Sequence, residues 1–169
     1  MDPLQHIGGP WEVVARLGVA TLIGGVIGLN RDLRGKPAGV RTHSLVALGA
    51  ALLTVISLEL GWMGDALDRS AVSRTIQGLI TGIGFLGAGV ILRNESQQVV
   101  HGLTTAASIW LVSCFGIACG LGQWITALVA VGLTLAVLLF GGPVERAFHH
   151  KLPPAAPPPP SEHPGGPPR

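Results

Sequence analysis

Between His101 and Glu145 the chain carries no Asp, Glu, Lys or Arg. At about 1.5 Å per residue a single helix of that length would far exceed the thickness of a bilayer, so the run must fold back on itself. Gly120, Gly122 and Gln123 supply turn-forming residues near its middle and divide it into Leu103 to Leu121 and Trp124 to Phe140. Each piece meets the lower limit of about 17 residues for crossing hydrocarbon.

The rest of the chain repeats this pattern. Val13 to Leu29, Thr42 to Leu58 and Thr75 to Leu92 are apolar runs, separated by polar connections at Asn30 to Arg41, at Asp65 to Arg74 and at Arg93 to His101. Only Arg16 interrupts the first, near one end, where its side chain is expected to snorkel to the headgroups. Gly35, Pro37 and Gly39 argue against a helix continuing through the first connection. Over the 169 residues 48% are hydrophobic and 12% charged, against about 25% charged in soluble domains. The expected fold is all-α, an integral membrane bundle of about five short transmembrane helices over residues 1–150. A Pro-rich tail over 151–169 is expected to be disordered, with a polyproline recognition role as a minor reading. The N-terminus lacks a positive region and a cleavage pattern, so the first run is expected to be a retained span.

Five spans place Arg31, Arg34, Lys36, Arg41, Arg93, Arg146, Lys151 and Arg169 on one side, against Arg69 and Arg74 on the other. Cationic residues concentrate in the cytoplasm, so the N-terminus is expected outside and the C-terminus inside. Trp11, Trp62 and Trp124 fall at outer ends of spans, as an interfacial aromatic belt requires, and Trp110 is expected to pack inside the bundle. A net charge of +2 without a basic stripe argues against nucleic acid as a partner. Cys114 and Cys119 lie in apolar sequence and read as small hydrophobes.

The third run is the richest in glycine. Gly82, Gly84 and Gly87 match a dinucleotide-binding pattern letter for letter, but the flanks are membrane-length apolar sequence rather than a strand and a βαβ unit. On a helix, Gly78, Gly82 and Gly89 share one face within about 40° and Gly84, Gly87 and Ala88 crowd the opposite one. Two small-residue faces predict a helix pressed between neighbours on both sides. The rival reading is a broken helix that exposes carbonyls to an ion. Gly24 with Gly28, and Gly116 with Gly120, predict close contacts in spans one and four.

Polar groups near hydrocarbon are costly unless paired or wet. Asn30, Arg41 and His43 lie at one boundary, where they could form a cluster that fixes the first hairpin or meets a partner, and a purely topological, positive-inside role explains Arg41 equally well. Glu59 and Asp65, with Arg74 beyond them, lie at the other, where interfacial solvation competes with a weak divalent-cation site. Thr104 and Thr105 follow Gly102 at the start of span four and suit either a helix cap or a polar pocket. His101 stands alone, and His149 with His150 lacks the further ligands a metal site needs. No Walker loop, HExxH or GxSxG motif is present, and neither a catalytic residue nor a cofactor is expected.

Three ordered blocks, RDLRGKPAGVRTHSLVALGAALLTVIS from Arg31 to Ser57, GIGFLGAGVILR from Gly82 to Arg93 and GLTTAASIW from Gly102 to Trp110, resemble the membrane domain of the MgtC/SapB family over roughly residues 13–140. The resemblance implies a multi-pass bacterial inner-membrane protein linked to growth in low magnesium and to survival in host cells. It also implies the membrane ATP synthase as a candidate partner. Arg41, Thr42 and His43 match the family's RTH block, Arg74 precedes the glycine block at the expected offset, and Gly82 to Gly89 and Gly102 to Ala107 also match. Asn30 stands where an acidic residue is expected and His101 where a basic one is common. Many relatives add a soluble regulatory domain where this chain has proline-rich sequence.

The leading expectation is a non-catalytic membrane regulator for magnesium limitation or acidic, host-like conditions. A small ion or solute transporter working around Glu59, Asp65 or the third span is the alternative. Lipid is the expected surrounding, and the glycine faces make a homodimer worth seeking.

Overall fold

The computed structural model describes residues 7–63, 66–94 and 99–149. Five helices follow one another: α1 (Pro10–Asp32), α2 (Val40–Gly61), α3 (Arg69–Val90), α4 (Leu103–Gly120) and α5 (Trp124–His149). Two minimal antiparallel ribbons join them, β1 (Trp62–Met63) with β2 (Ala66–Leu67) and β3 (Leu92–Asn94) with β4 (Val99–His101). The second and third polar connections are therefore partly strand-paired, which gives backbone groups at the helix ends internal partners. The proline-rich tail lies outside the described residues.

The helices begin and end for local reasons. Pro10 occupies the first turn of α1, where its missing N–H costs nothing. Asp32 accepts a hydrogen bond from the Val40 N–H at 3.0 Å, so the end of α1 caps the start of α2. Asp68 caps α3 by accepting from the Ser70 N–H at 2.9 Å. Gly122, at φ +72°, closes the C-terminus of α4, where the Gly122 and Gln123 N–H groups donate to the Cys119 and Ala118 carbonyls. α1 extends three residues beyond the expected span at each end, and α2 two at its start and three at its end, whereas α4 stops one residue short. The last helix continues past Phe140 through Pro143.

Contacts fix the directions. Gly24 meets His43 and Gly28 meets Val40, so α1 and α2 are antiparallel, while Gly116 meets Ala47 and Gly120 meets Thr54, so α2 and α4 run parallel. Gly87 against Ala106 makes α3 antiparallel to α4. A Cβ added at Gly28 would lie 2.6 Å from Val40 Cα, and one at Gly120 would lie 2.7 Å from Thr54 Cβ. Both glycine pairs are thus close-approach sites, as expected. The core between α1, α2 and α4 is built from small residues, Ala20, Ala47, Ala51 and Cys119, around Ile27, Val112 and Phe115. Neither cysteine is in a disulfide.

Four helices, α1, α2, α4 and the Trp124–Pro143 part of α5, are long and apolar enough to cross a membrane. The 22-residue α3 has the length but opens with Arg69, Arg74 and Gln77. Its glycines also depart from expectation. Gly87 alone packs, 3.6 Å from Ala106 Cβ, whereas Cβ atoms at Gly78, Gly82, Gly84 and Gly89 would meet nothing within 4 Å. α3 rests on α4 and, where Val72 meets Gly61, on α2, while its Gly78, Gly82 and Gly89 face is uncovered among the described residues, so its two glycine faces are not both pressed against neighbours. The helix is unbroken through all of these glycines. Trp110 is 43% exposed rather than packed inside, because α4 turns Ile109, Val112 and Ser113 inward and leaves it on the outer face.

Candidate functional site

One end of the bundle gathers the end of α1, the start of α2, the start of α4 and the last turns of α5. Along α1, Gly24, Gly28 and Arg31 recur at helical spacing, so the face that packs on α2 and α4 also carries Arg31 inward. Arg31 is 4% exposed. One of its terminal nitrogens donates to the Thr105 hydroxyl on α4, and its Nε is buried without a hydrogen-bond partner among the described residues. The neighbouring Asp32 carboxylate is engaged at the Val40 N–H.

A second buried link lies one turn deeper. His43, fully buried, has Nδ1 3.0 Å from the Gly39 carbonyl, which requires that nitrogen to donate. Its Nε2 lies 3.0 Å from Ser108 Oγ, and that oxygen is 2.8 Å from the Thr105 carbonyl. Ser108 has one hydroxyl proton. A neutral His43 takes it at Nε2; a protonated ring donates to Ser108 and frees that proton for the carbonyl. Arg31, Thr105, Ser108 and His43 thus form a polar seam tying α1, α2 and α4, of the kind that holds helices together where water is scarce.

Above the seam opens a cleft of about 640 Å³. Its polar wall comprises Asn30, Arg31, Arg34, Lys36, His101, Thr104 and Thr105, and Val137 and Leu138 of α5 face them. Gly102, at φ +90°, starts α4 and offers no side-chain cap. Asn30 Oδ1 is buried without a hydrogen-bond partner among the described residues, and Arg34 reaches the Leu139 carbonyl at 3.4 Å.

The expected cluster of Asn30, Arg41 and His43 is only partly assembled. Asn30 lines the cleft, His43 points into the core, and Arg41 and Thr42 are exposed on the first turn of α2. Thr104 and Thr105 do not cap α4, because the cap position belongs to Gly102; Thr105 serves Arg31 and Thr104 faces the cleft. Arg31 and Ser108 escaped the sequence reading. Their helical spacing from the packing residues Gly28 and Thr105 is the signal that locates them.

The opposite end holds the other candidates. Glu59 is half-buried in the last turn of α2, and Asp65 lies outside the described residues. Arg74 donates to Ser70 Oγ at 2.9 Å and stands 3.8 Å from Asp68, so it belongs to the exposed cap of α3. The Ser70 hydroxyl and N–H hold the Asp68 carboxyl below the usual carboxylate range. Arg16 reaches toward the end of the bundle: it pairs with Glu12, one turn nearer the start of α1, at 3.1 Å and donates to the Gly120 carbonyl at the end of α4 at 2.7 Å. A cation thereby neutralises the C-terminal end of α4. Trp11, Trp62 and Trp124 all sit at this end.

Comparison with known proteins accords with this architecture. Residues 17–147 match the MgtC family. Protein SrpB of Synechococcus elongatus is 43% identical over 77% of this chain and 75% of its own length. Protein SapB of Bacillus subtilis is 42% identical over 66% of the chain, and Protein MgtC of Brucella abortus 40% over 80%. The chain spans about half the length of these last two, 48% and 51%. No solved structure matches it. With its apolar helices and a match over most of its length, the chain is a multi-pass inner-membrane protein belonging to the MgtC/SapB family.

Proposed function

We propose that this protein is a non-catalytic membrane regulator that works in adaptation to low magnesium or acidic conditions by lateral contact with another membrane protein. The observation that carries the reading is the uneven packing of α3. Gly78, Gly82 and Gly89, which share one face, have open space where a Cβ would stand, and small residues permit the close backbone approach that binds helices in lipid. The occupant proposed for that face is a helix of a membrane ATPase, with the ATP synthase as the first candidate.

This reading takes α3 as a fifth span. Its 22 residues extend about 33 Å, enough for a hydrocarbon core of about 30 Å. The N-terminus is then outside and the C-terminus cytoplasmic. The end bearing Arg31, Arg34, Lys36 and Arg41 faces the cytoplasm, in line with the positive-inside rule, and Trp11, Trp62 and Trp124 mark the outer boundary.

A deletion strain grown in low magnesium at neutral and acidic pH tests the proposal. Expected is a change in growth, cytoplasmic pH and ATP level that the wild-type gene reverses and a Gly82→Ile gene does not. Unchanged values across magnesium and pH would sink the role. Cation or proton flux through the purified protein in liposomes would replace it with transport.

A further inference from the structure

We propose that the cleft between α1, α4 and α5 is a binding site for a phosphate group, carried either by an anionic lipid headgroup or by a soluble anion. Arg31, Arg34 and Lys36 line it, and no carboxylate is found among its described lining residues. An uncompensated cationic cleft is an anion site waiting for its charge.

Three independent features point to a bound group rather than to a merely solvated surface. The first is Arg31. Only 4% of it is exposed, its charge has no carboxylate partner within 4.0 Å among the described residues, and its buried Nε has no hydrogen-bond partner. A buried guanidinium is strongly disfavoured without an opposite charge, and Asp32, the nearest acid in sequence, is committed to Val40. The second is the start of the 18-residue α4, which faces the cleft through Gly102, Leu103, Thr104 and Thr105. No side chain caps it, so its first-turn N–H groups and the positive end of its dipole are offered to a ligand. Gly102 is required in this role: it adopts φ +90°, and a Cβ there would run into the Val90 carbonyl. The third is the opposite wall, where Val137 and Leu138 offer apolar surface beside the cations. A phospholipid presents that same pairing of a charged head and an apolar chain.

The recognition is for tetrahedral phosphate more than for carboxylate. Arg31 donates in a planar fork, Arg34 and Lys36 supply exposed charges at the rim, and Thr104 adds a hydroxyl. Arg41, at the same end but exposed on α2 and not among the lining residues, provides the control.

Purified full-length protein in neutral detergent is titrated with three probes: phosphatidylglycerol, phosphatidylcholine and inorganic phosphate. Binding is followed by native mass spectrometry for the lipids and by equilibrium dialysis for phosphate. Saturable binding of phosphatidylglycerol or of inorganic phosphate is expected, with phosphatidylcholine at least tenfold weaker. Preference for the lipid identifies a headgroup site; binding of inorganic phosphate that added phosphatidylglycerol does not displace identifies a soluble anion. Arg31→Gln should weaken the preferred probe tenfold or more, and Arg34→Gln with Lys36→Gln together fivefold or more, whereas Arg41→Gln should leave it unchanged. If Arg31→Gln fails to fold, the rim double variant carries the comparison. Absence of saturable binding to every probe overturns the site. So does equal weakening by Arg41→Gln and by the rim double variant, which would mark diffuse surface attraction.

Discussion

Arg31 on α1 and Thr105 on α4, 74 positions apart, meet through a buried hydrogen bond from the guanidinium to the threonine hydroxyl. The bond lies beside Ser108 and His43, so one polar seam spans three helices whose shared core is otherwise mostly small and apolar side chains.

Thr105→Val keeps the shape of the side chain and removes the acceptor. The guanidinium then loses its hydrogen-bond partner among the described residues in a buried place, which costs about 1–3 kcal/mol. Thermal unfolding in detergent should show a lowered midpoint for Thr105→Val and a near-normal one for Thr105→Ser. A midpoint unchanged in Thr105→Val would show that the bond contributes nothing.

Two glycine-to-alanine changes should behave oppositely. A Cβ at Gly116 presses on the Ala47 carbonyl and comes within 2.8 Å of Ala50 Cβ, so Gly116→Ala should destabilise by about 1–3 kcal/mol, as overpacking does. Gly82→Ala enters open space and gains about 0.5–1 kcal/mol in helix propensity. The same unfolding assay reads both, and equal losses would contradict the packing described.

Asp68 governs one acid-sensitive contact. Hydrogen bonds from Ser70 lower its pKa in the folded protein, so its contribution is present above the unfolded carboxylate pKa of about 3.9 and is lost as pH falls through the lower folded value. Asp68→Asn can still cap α3 but cannot titrate. Its unfolding midpoint should fall less steeply than that of the wild type below about pH 4, while the two stay close at neutral pH; parallel acid limbs would refute the assignment.

The helices and their close contacts were legible because backbone chemistry shows in the sequence. Charge-free runs ending in Gly, Pro and Asp mark five helices, and Gly24, Gly28, Gly116 and Gly120 sit at spacings that only close packing uses. The polar seam was hidden for a physical reason. Arg31 lies beside a loop where arginine normally serves topology, and only the inward turn of the Gly24 and Gly28 face separates it from the exposed Arg34. The partner of Arg16 was hidden in the same way, since its reach to the Gly120 carbonyl depends on where α4 ends. For α3, composition reveals that its faces are small but not which of them another helix covers; of its glycines, only Gly87 meets a neighbour among the described residues.

Affinity purification from native membranes in mild detergent tests the central claim, that the uncovered face of α3 receives a partner helix. Gly82→Ile fills that face, and Gly132→Ile, equally open but on α5, is the control. A stoichiometric membrane ATPase should be retained by the wild type and Gly132→Ile and lost from Gly82→Ile, with folding intact in all three. Retention of the partner by Gly82→Ile, recovery of the wild type alone, or recovery of only a second copy of the chain would contradict it.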